Sequence, residues 1–249
     1  MTFNLFLWCD EKISQLKEAG IRIENGVAVL PEYAVYKGHV SMISTFKYRK
    51  DIADELKSTS LLCNFMPDEN LFIRLKKIDK DIKIMEGYGG ICGQDLSPSI
   101  GMLKPRQRFS ILINSVYNCY VAIYGIKVLP NSRIGDMGTL SMINSFPKNV
   151  SFISGMHGCK NHGFKEYGLY QLRMIVREKK PPILYIYGSL TCKEARRLFW
   201  CNEFIIVAFP DRRNRVRNGN KSYAFYFDGN DIKKVPYEEY MIGSVAEWE

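Results

Sequence analysis

Two histidines, a cysteine and three glycines crowd into residues 150–164, VSFISGMHGCKNHGF. His157, Cys159 and His162 are three candidate ligands for zinc, with Asp95, Asp136 or a water in the fourth position, although H-x-C-x-x-H matches no standard zinc module. The carboxylates of Asp95 and Asp136 suit magnesium or manganese equally well, so a divalent metal is the cofactor this set would take. The same stretch also reads as a phosphate cradle. Gly155, Gly158 and Gly163 let backbone amides approach an anion, and a helix start near Phe164 would add its positive end. The plain alternative is a tight turn after a buried strand, for which glycine is equally suited.

A second corner of the same kind is Tyr187-Gly188-Ser189, just ahead of SLTCKEARRLFW, where Thr191 and Glu194 have the spacing of a capping box. Neither a G-x-x-x-x-G-K-[ST] loop nor a G-x-G-x-x-G run occurs, which excludes the ordinary nucleoside-triphosphate and dinucleotide motifs. Acyl-transfer chemistry ranks low as well, because the chain has no G-x-S-x-G elbow and no cysteine-nucleophile context. The densest charge lies in PDRRNRVRNGNKSYAFYF, where Arg212, Arg213, Arg215, Arg217 and Lys221 precede Tyr223, Phe225, Tyr226 and Phe227. Arginines that grip phosphates beside rings that stack bases make a pairing found in single-strand binders. The bland counterpart is a solvated loop leading into a hairpin at Asn218-Gly219, with the rings packed inward.

These residues need a scaffold, and the apolar pattern supplies one. From about residue 59 onward, short apolar runs alternate with helical periodicity: SLLCNFM, IMEGYGGICGQDLS, IKVLP, VSFISG, PILYIYGS and EFIIVAFPD are the strands. That rhythm predicts an α/β fold with a mostly parallel sheet, or an incomplete (β/α) barrel. In RQRFSILINSVYNCYVAIYG, apolar and aromatic residues recur at three and four, one face of a helix that Gly125 can end. A further helix is expected from about 164 to 178, before Pro181 and Pro182. Residues 1–58 read as a small N-terminal α+β cap, with a helix stopped by Gly20 and a hairpin turning at Asn25-Gly26, and residues 59–249 as the β/α domain. In such sheets ligands collect at the carboxyl ends of the strands. Asp95, Asn131 to Arg133 with Asp136, His157, Ser189 and Arg212 with Arg213 are expected to share one such edge.

The chain of 249 residues, with 46% hydrophobic and 24% charged residues, is long enough to bury a core without disulfide or metal staples. Its seven cysteines are odd in number and contain no C-x-x-C pair, which suits free thiols in a reducing compartment. No apolar stretch approaches the roughly 18 residues of a membrane span, and the N-terminus lacks signal-peptide character. A cytoplasmic protein with no membrane partner is expected. The formal charge of +9 points to an anionic partner, nucleic acid or a nucleotide first of all.

Between about residues 61 and 190, the runs NFMPDENLF, CGQDLSPS, INSVYNCYVAIYGIKVLPN, ISGMHGCKN and ILYIYGS occur in an order that resembles the phage and mobile-element family catalogued as the domain of unknown function DUF4417. The family's P-D-F-S run lies opposite Gln94-Asp95-Leu96-Ser97, so the Asp and Ser carry over. Its N-x-Y-R lies opposite Ser115-Val116-Tyr117-Asn118, which lacks the arginine, and its tryptophan near the next strand end is replaced around Arg133 to Asp136. The resemblance implies a bacteriophage or mobile-element protein, in the host cytoplasm, and no established reaction.

Three function classes follow. In the first, the protein acts on or binds nucleic acid, as a metal-assisted phosphodiesterase in its catalytic form. Asp95 and Asp136 then hold metal, His157 or His162 moves a proton, and Arg133, Gly158, Ser189, Arg212, Arg213, Arg215 and Arg217 hold phosphate. In the second, the same edge binds a nucleotide or signalling molecule without catalysis. In the third, the basic face inhibits a host defence enzyme. The residues leave open which class applies and whether the chain catalyses a reaction.

Overall fold

The computed structural model describes residues 3–99, 101–131, 133–155 and 162–246, excluding the side chains of residues 162–165, 218 and 244–246. The chain divides into two compact units, Met1–Pro147 and Lys148–Glu249.

The first unit opens with α1 (Leu5–Glu18), started by Asn4, whose Oδ1 accepts the N–H groups of Phe6 and Leu7 at 3.0 and 3.3 Å. It ends just ahead of Gly20, which sits at φ 79°. β1 (Ile23–Glu24) and β2 (Val27–Ala28) make the expected hairpin, and Asn25 and Gly26 take the positive φ angles, 51° and 77°, that its turn requires. Then follow β3 (Met42–Thr45), β4 (Ser60–Cys63), α2 (Asp68–Lys76), α3 (Ile78–Met85), β5 (Gly90–Cys92), α4 (Lys104–Ile123) and β6 (Val128–Leu129). The strands β3, β4, β5 and β6 form a four-stranded sheet in that order, and every pairing is parallel. Every residue of β4 and β5 is buried, as expected of parallel strands covered on both faces.

Because β3 comes from residues 1–58 and pairs along its whole length with β4, the stretch read as a cap supplies an outer strand of this sheet. Its α1 also packs on α4, where the rings of Phe6 and Phe109 stack with centroids 4.6 Å apart. The division found in the structure therefore lies at 147/148, and residues 1–58 belong with the residues up to Pro147.

The second unit contains β7 (Phe152–Gly155), α5 (His162–Lys179), β8 (Ile183–Tyr187), α6 (Cys192–Leu198), β9 (Ile205–Phe209), α7 (Arg212–Asn218), β10 (Tyr223–Phe227), β11 (Ile232–Pro236) and α8 (Tyr237–Ala246). Its sheet runs β11-β10-β9-β8-β7; β7, β8 and β9 are parallel, and β10 and β11 add an antiparallel hairpin. The fold is thus mixed α/β with β/α alternation, as the sequence pattern predicts. The six strand runs divide between two open sheets, neither of which closes into a barrel among the described residues. The capping box of α6 forms as its spacing predicts, between Thr191 and Glu194.

The arginine-rich run is helical instead of a loop. Asp211 caps α7 by accepting the N–H of Asn214 at 2.8 Å, and Gly219 ends the helix at φ 77°. Asn218-Gly219 is consequently a helix end, and the hairpin turn comes later, at residues 228–231.

Gly93, directly after β5, lies so close to its neighbours that an added Cβ would stand 2.6 Å from the Asn131 amide nitrogen and 2.9 Å from Asn118 Nδ2. Gly93→Ala should destabilise the protein by about 1–3 kcal/mol. Denaturant unfolding monitored by circular dichroism checks this, and an unchanged midpoint would show that the close approach is not needed.

Candidate functional site

At the carboxyl ends of β4, β5 and β6 the sequence turns polar: Asn64 follows β4, Gln94 and Asp95 follow β5, and Asn131 follows β6. All four are buried, Gln94 completely. Here β5 has lost its strand neighbours, and side chains of α4 satisfy its continuing backbone. Asn118 Oδ1 accepts the Gln94 N–H at 2.8 Å; Asn114 accepts the Leu96 N–H at 2.8 Å and donates to the Leu96 carbonyl at 2.9 Å. Asn64 Nδ2 donates to Gln94 Oε1 at 2.7 Å, and Asn131 Nδ2 donates to Asp95 Oδ1 at 2.6 Å and to the Gln94 carbonyl at 3.2 Å.

Asp95 also receives Arg133 in a two-pronged ion pair, Nε to Oδ1 at 2.5 Å and a terminal nitrogen to Oδ2 at 3.0 Å. Three protein donors hold its carboxylate, a placement that makes it an anchor for Arg133 and Asn131. Asp136 is held separately: it accepts from Gln107 Nε2 at 2.8 Å, and its own N–H donates to Gln107 Oε1 at 2.7 Å. Each of the two carboxylates expected to hold metal therefore has its own partner in the protein. Among the described residues no group of three His, Cys, Asp or Glu side chains stands close enough to hold a metal ion.

His157, Gly158 and Cys159 lie outside the described residues, and His162 is described only as the first backbone position of α5. The thiols of Cys63, Cys92 and Cys119 fill the core of the first unit, and burial pushes those of Cys92 and Cys119 well up, away from the reactive thiolate.

Ser189 and the arginines belong to the other unit. An open cleft of about 430 Å³ lies there, lined among others by Gly188, Ser189, Asn214, Lys221, Tyr223 and Lys234. Lys234 Nζ sits 4.0 Å from the centre of the Tyr223 ring. α7 supplies Asn214 to the cleft, and on it Arg212, Arg213 and Arg217 are exposed and Arg215 half-buried. Of the amides at the expected Tyr187-Gly188-Ser189 corner, that of Gly188 donates to the Phe209 carbonyl at 2.8 Å, and beyond it the Thr191 amide donates to Glu194 at 2.8 Å. Positive side chains, rather than a glycine cradle, are what this corner offers an anion. Of the four rings read as stacking platforms, Phe225 is buried, Tyr226 packs against Tyr240 with centroids 5.3 Å apart, and Tyr223 lines the cleft.

Charge is also unevenly divided. Residues 148–249 contain 17 lysines and arginines against 11 aspartates and glutamates, whereas residues 1–147 contain 18 against 15, so the basic excess lies mainly in the second unit. No helix of the described residues is long and apolar enough to cross a membrane. No family model, curated protein or solved structure matches the chain.

Sequence reasoning missed Asn64, Asn114, Asn118, Lys234 and Asp68, and placed Gln94 at a strand end without a role. Asp68 opens α2 and accepts the Ser97 N–H at 3.3 Å. Burial, reinforced by the negative charge of Asp95, raises its carboxyl pKa. The folded state then holds that proton more tightly than the unfolded chain does. The resulting contribution to stability is present below the ordinary carboxylate range and falls as pH rises through the raised value. Asp68→Asn keeps an acceptor for Ser97 and removes the half-buried charge. The variant should melt higher than the parent at pH 7, with the difference shrinking towards pH 3 in a thermal-unfolding series; a variant less stable at pH 7 would contradict this account.

Proposed function

We propose that the protein binds nucleic acid, holding the phosphate backbone of a single strand on the basic face of residues 148–249. The observation that carries this reading is the cleft in which Lys221 and Lys234 converge beside Tyr223 and Ser189, bordered by Asn214 of the arginine-bearing α7. Two cations and the ring of Tyr223 line one cleft, and exposed Arg213 and Arg217 stand on the helix that borders it, a combination of the kind with which single-strand binders grip phosphates and stack bases. Arg212 and Arg215 extend the same helix. The reading is one of binding, because Asp95 and Asp136 are occupied by Arg133 and Gln107.

The protein is then a phage or mobile-element product acting in the host cytoplasm. Two features support this: the resemblance of residues 61–190 to DUF4417, and the six free cysteines of the described residues, which suit a reducing compartment.

The test is the salt dependence of binding to a fluorescent single-stranded oligonucleotide. Replacing Arg212, Arg213, Arg215 and Arg217 with alanine should weaken binding and flatten the slope of log affinity against log salt, by about 0.7 for each phosphate of the strand that is no longer neutralised. Lys221→Ala with Lys234→Ala should weaken it further. Circular dichroism confirms that the variants remain folded. Affinity and slope unchanged in both sets would exclude this face as the nucleic-acid site.

A further inference from the structure

The second unit carries another hollow besides the basic cleft, an open pocket of about 330 Å³ at the end of α6, within the size range of small-molecule sites. Three half-buried rings line it, those of Phe199, Trp200 and Phe227. Phe199 and Trp200 pack on the fully buried Phe204, with ring centroids 5.3 and 6.4 Å away, and the Trp200 indole N–H donates to the Pro181 carbonyl at 3.3 Å. These two rings are therefore held in place before a ligand arrives, and they call for a flat apolar face. The cation of the lining, Arg196, is paired with Asp231, so the pocket offers phosphate no net positive charge.

Two elements set this pocket beside the basic cleft. The cleft is lined by Ser189 and Leu190, just ahead of α6, and by Tyr223 of β10, whereas the pocket is lined by Arg196 and Phe199 at the other end of α6 and by Phe227 of β10. Tyr223 and Phe227 are four residues apart, so they share one face of the strand at a separation of about 13 Å. We propose that the pocket is a nucleobase-binding subsite, filled by the strand whose phosphates the basic cleft holds. This assignment rests on the nucleic-acid reading of the second unit and adds to it the place where a base goes. A single strand offers flat bases and charged phosphates side by side, and α6 and β10 set a neutral pocket walled by rings beside a cationic cleft. Stacking accepts every base, and the amides of Asn202 and Asn230 in the lining each carry both a donor and an acceptor, so the pocket takes bases without strong preference.

Trp200 reports on its own pocket, and nucleosides test it apart from the cleft because they carry no phosphate. Adenosine and cytidine at millimolar concentration should each quench the tryptophan fluorescence of the whole chain, ribose 5-phosphate should not, and the quenching should vanish in Trp200→Phe, which keeps a ring but loses the reporter. Phe227→Leu, which keeps an apolar side chain and removes a ring, should weaken binding of a single-stranded oligonucleotide roughly five- to a hundredfold while leaving the slope of log affinity against log salt unchanged. If that variant does not fold, the nucleoside titration of the parent protein decides. Absence of nucleoside quenching, or quenching by N-acetyltyrosinamide in place of nucleosides, which would mark a pocket for a protein side chain, overturns the assignment. Oligonucleotide binding that depends on the arginines of α7 but leaves Trp200 unquenched also overturns it, and the nucleic-acid reading then stands without this pocket. Nucleoside quenching in a protein whose oligonucleotide affinity ignores the arginine and lysine substitutions supports the pocket and removes the basic face instead.

Discussion

Beyond Gly93, whose N–H still donates to the Leu129 carbonyl of β6 at 2.8 Å, the chain runs on from β5 in a buried place, and its backbone groups must still be paired. Asn118 and Asn114 of α4 meet this need by bonding Gln94 and Leu96 directly. Asparagine is a poor residue for the middle of a helix, because its side chain competes for backbone bonds, so two of them one turn apart in α4 need a tertiary reason. The reason is this clamp. It fixes the path of residues 94–96 against α4, and with it the places of the Gln94 and Asp95 side chains. Gly93 allows Asn131 and Asn118 to close in, and Asp95 in turn holds Arg133.

The clamp also shows how far the sequence can be read. The three-and-four recurrence of apolar residues in α4 is visible because burial imposes it. Asn114 and Asn118 share that helix's i, i+4 relation, and both are buried. Polar residues four apart within an otherwise apolar helix are thus the available signal for the network, but nothing local says what backbone they pair with. The Asn25-Gly26 turn and the Thr191–Glu194 cap are legible for the opposite reason, since each is complete within four residues. α7 reads as a loop because a run of arginines carries no apolar period; its only marker is Asp211 followed three residues later by Asn214. The division of the strands between two sheets is a long-range fact. The residues between β6 and β7, including a 3₁₀ segment at Met137–Ser145, look in sequence like any other strand connection.

The two units handle charge differently, and this difference separates their chemistry. In the first, buried carboxylates are paired one to one: Asp81 with Arg74 at 2.8 Å, and Asp95 with Arg133. A buried pair adds little net stability, because desolvation offsets most of the attraction, but losing one partner is costly. Such pairs serve geometry, and they leave little net charge to attract a polyanion. In the second unit the cations outnumber the carboxylates and several lie on the exposed face of a short helix, where they retain hydration and act at a distance. The first unit therefore holds its buried charges in fixed pairs, and the second presents its positive excess to solvent.

Rigidity in the first unit carries one further consequence. Asp95 makes three bonds and Asn114 two, so turning any one amide of the cluster alone breaks a bond already formed: turning Asn64 withdraws its nitrogen from Gln94, and turning Asn131 withdraws its nitrogen from Asp95. Packed interiors shift between discrete arrangements rather than yielding by degrees, so the side chains of the cluster hold one another in place. The asparagines of α4 fix the backbone on which Gln94 and Asp95 stand, so the loss of either should be felt by every bond those two side chains make.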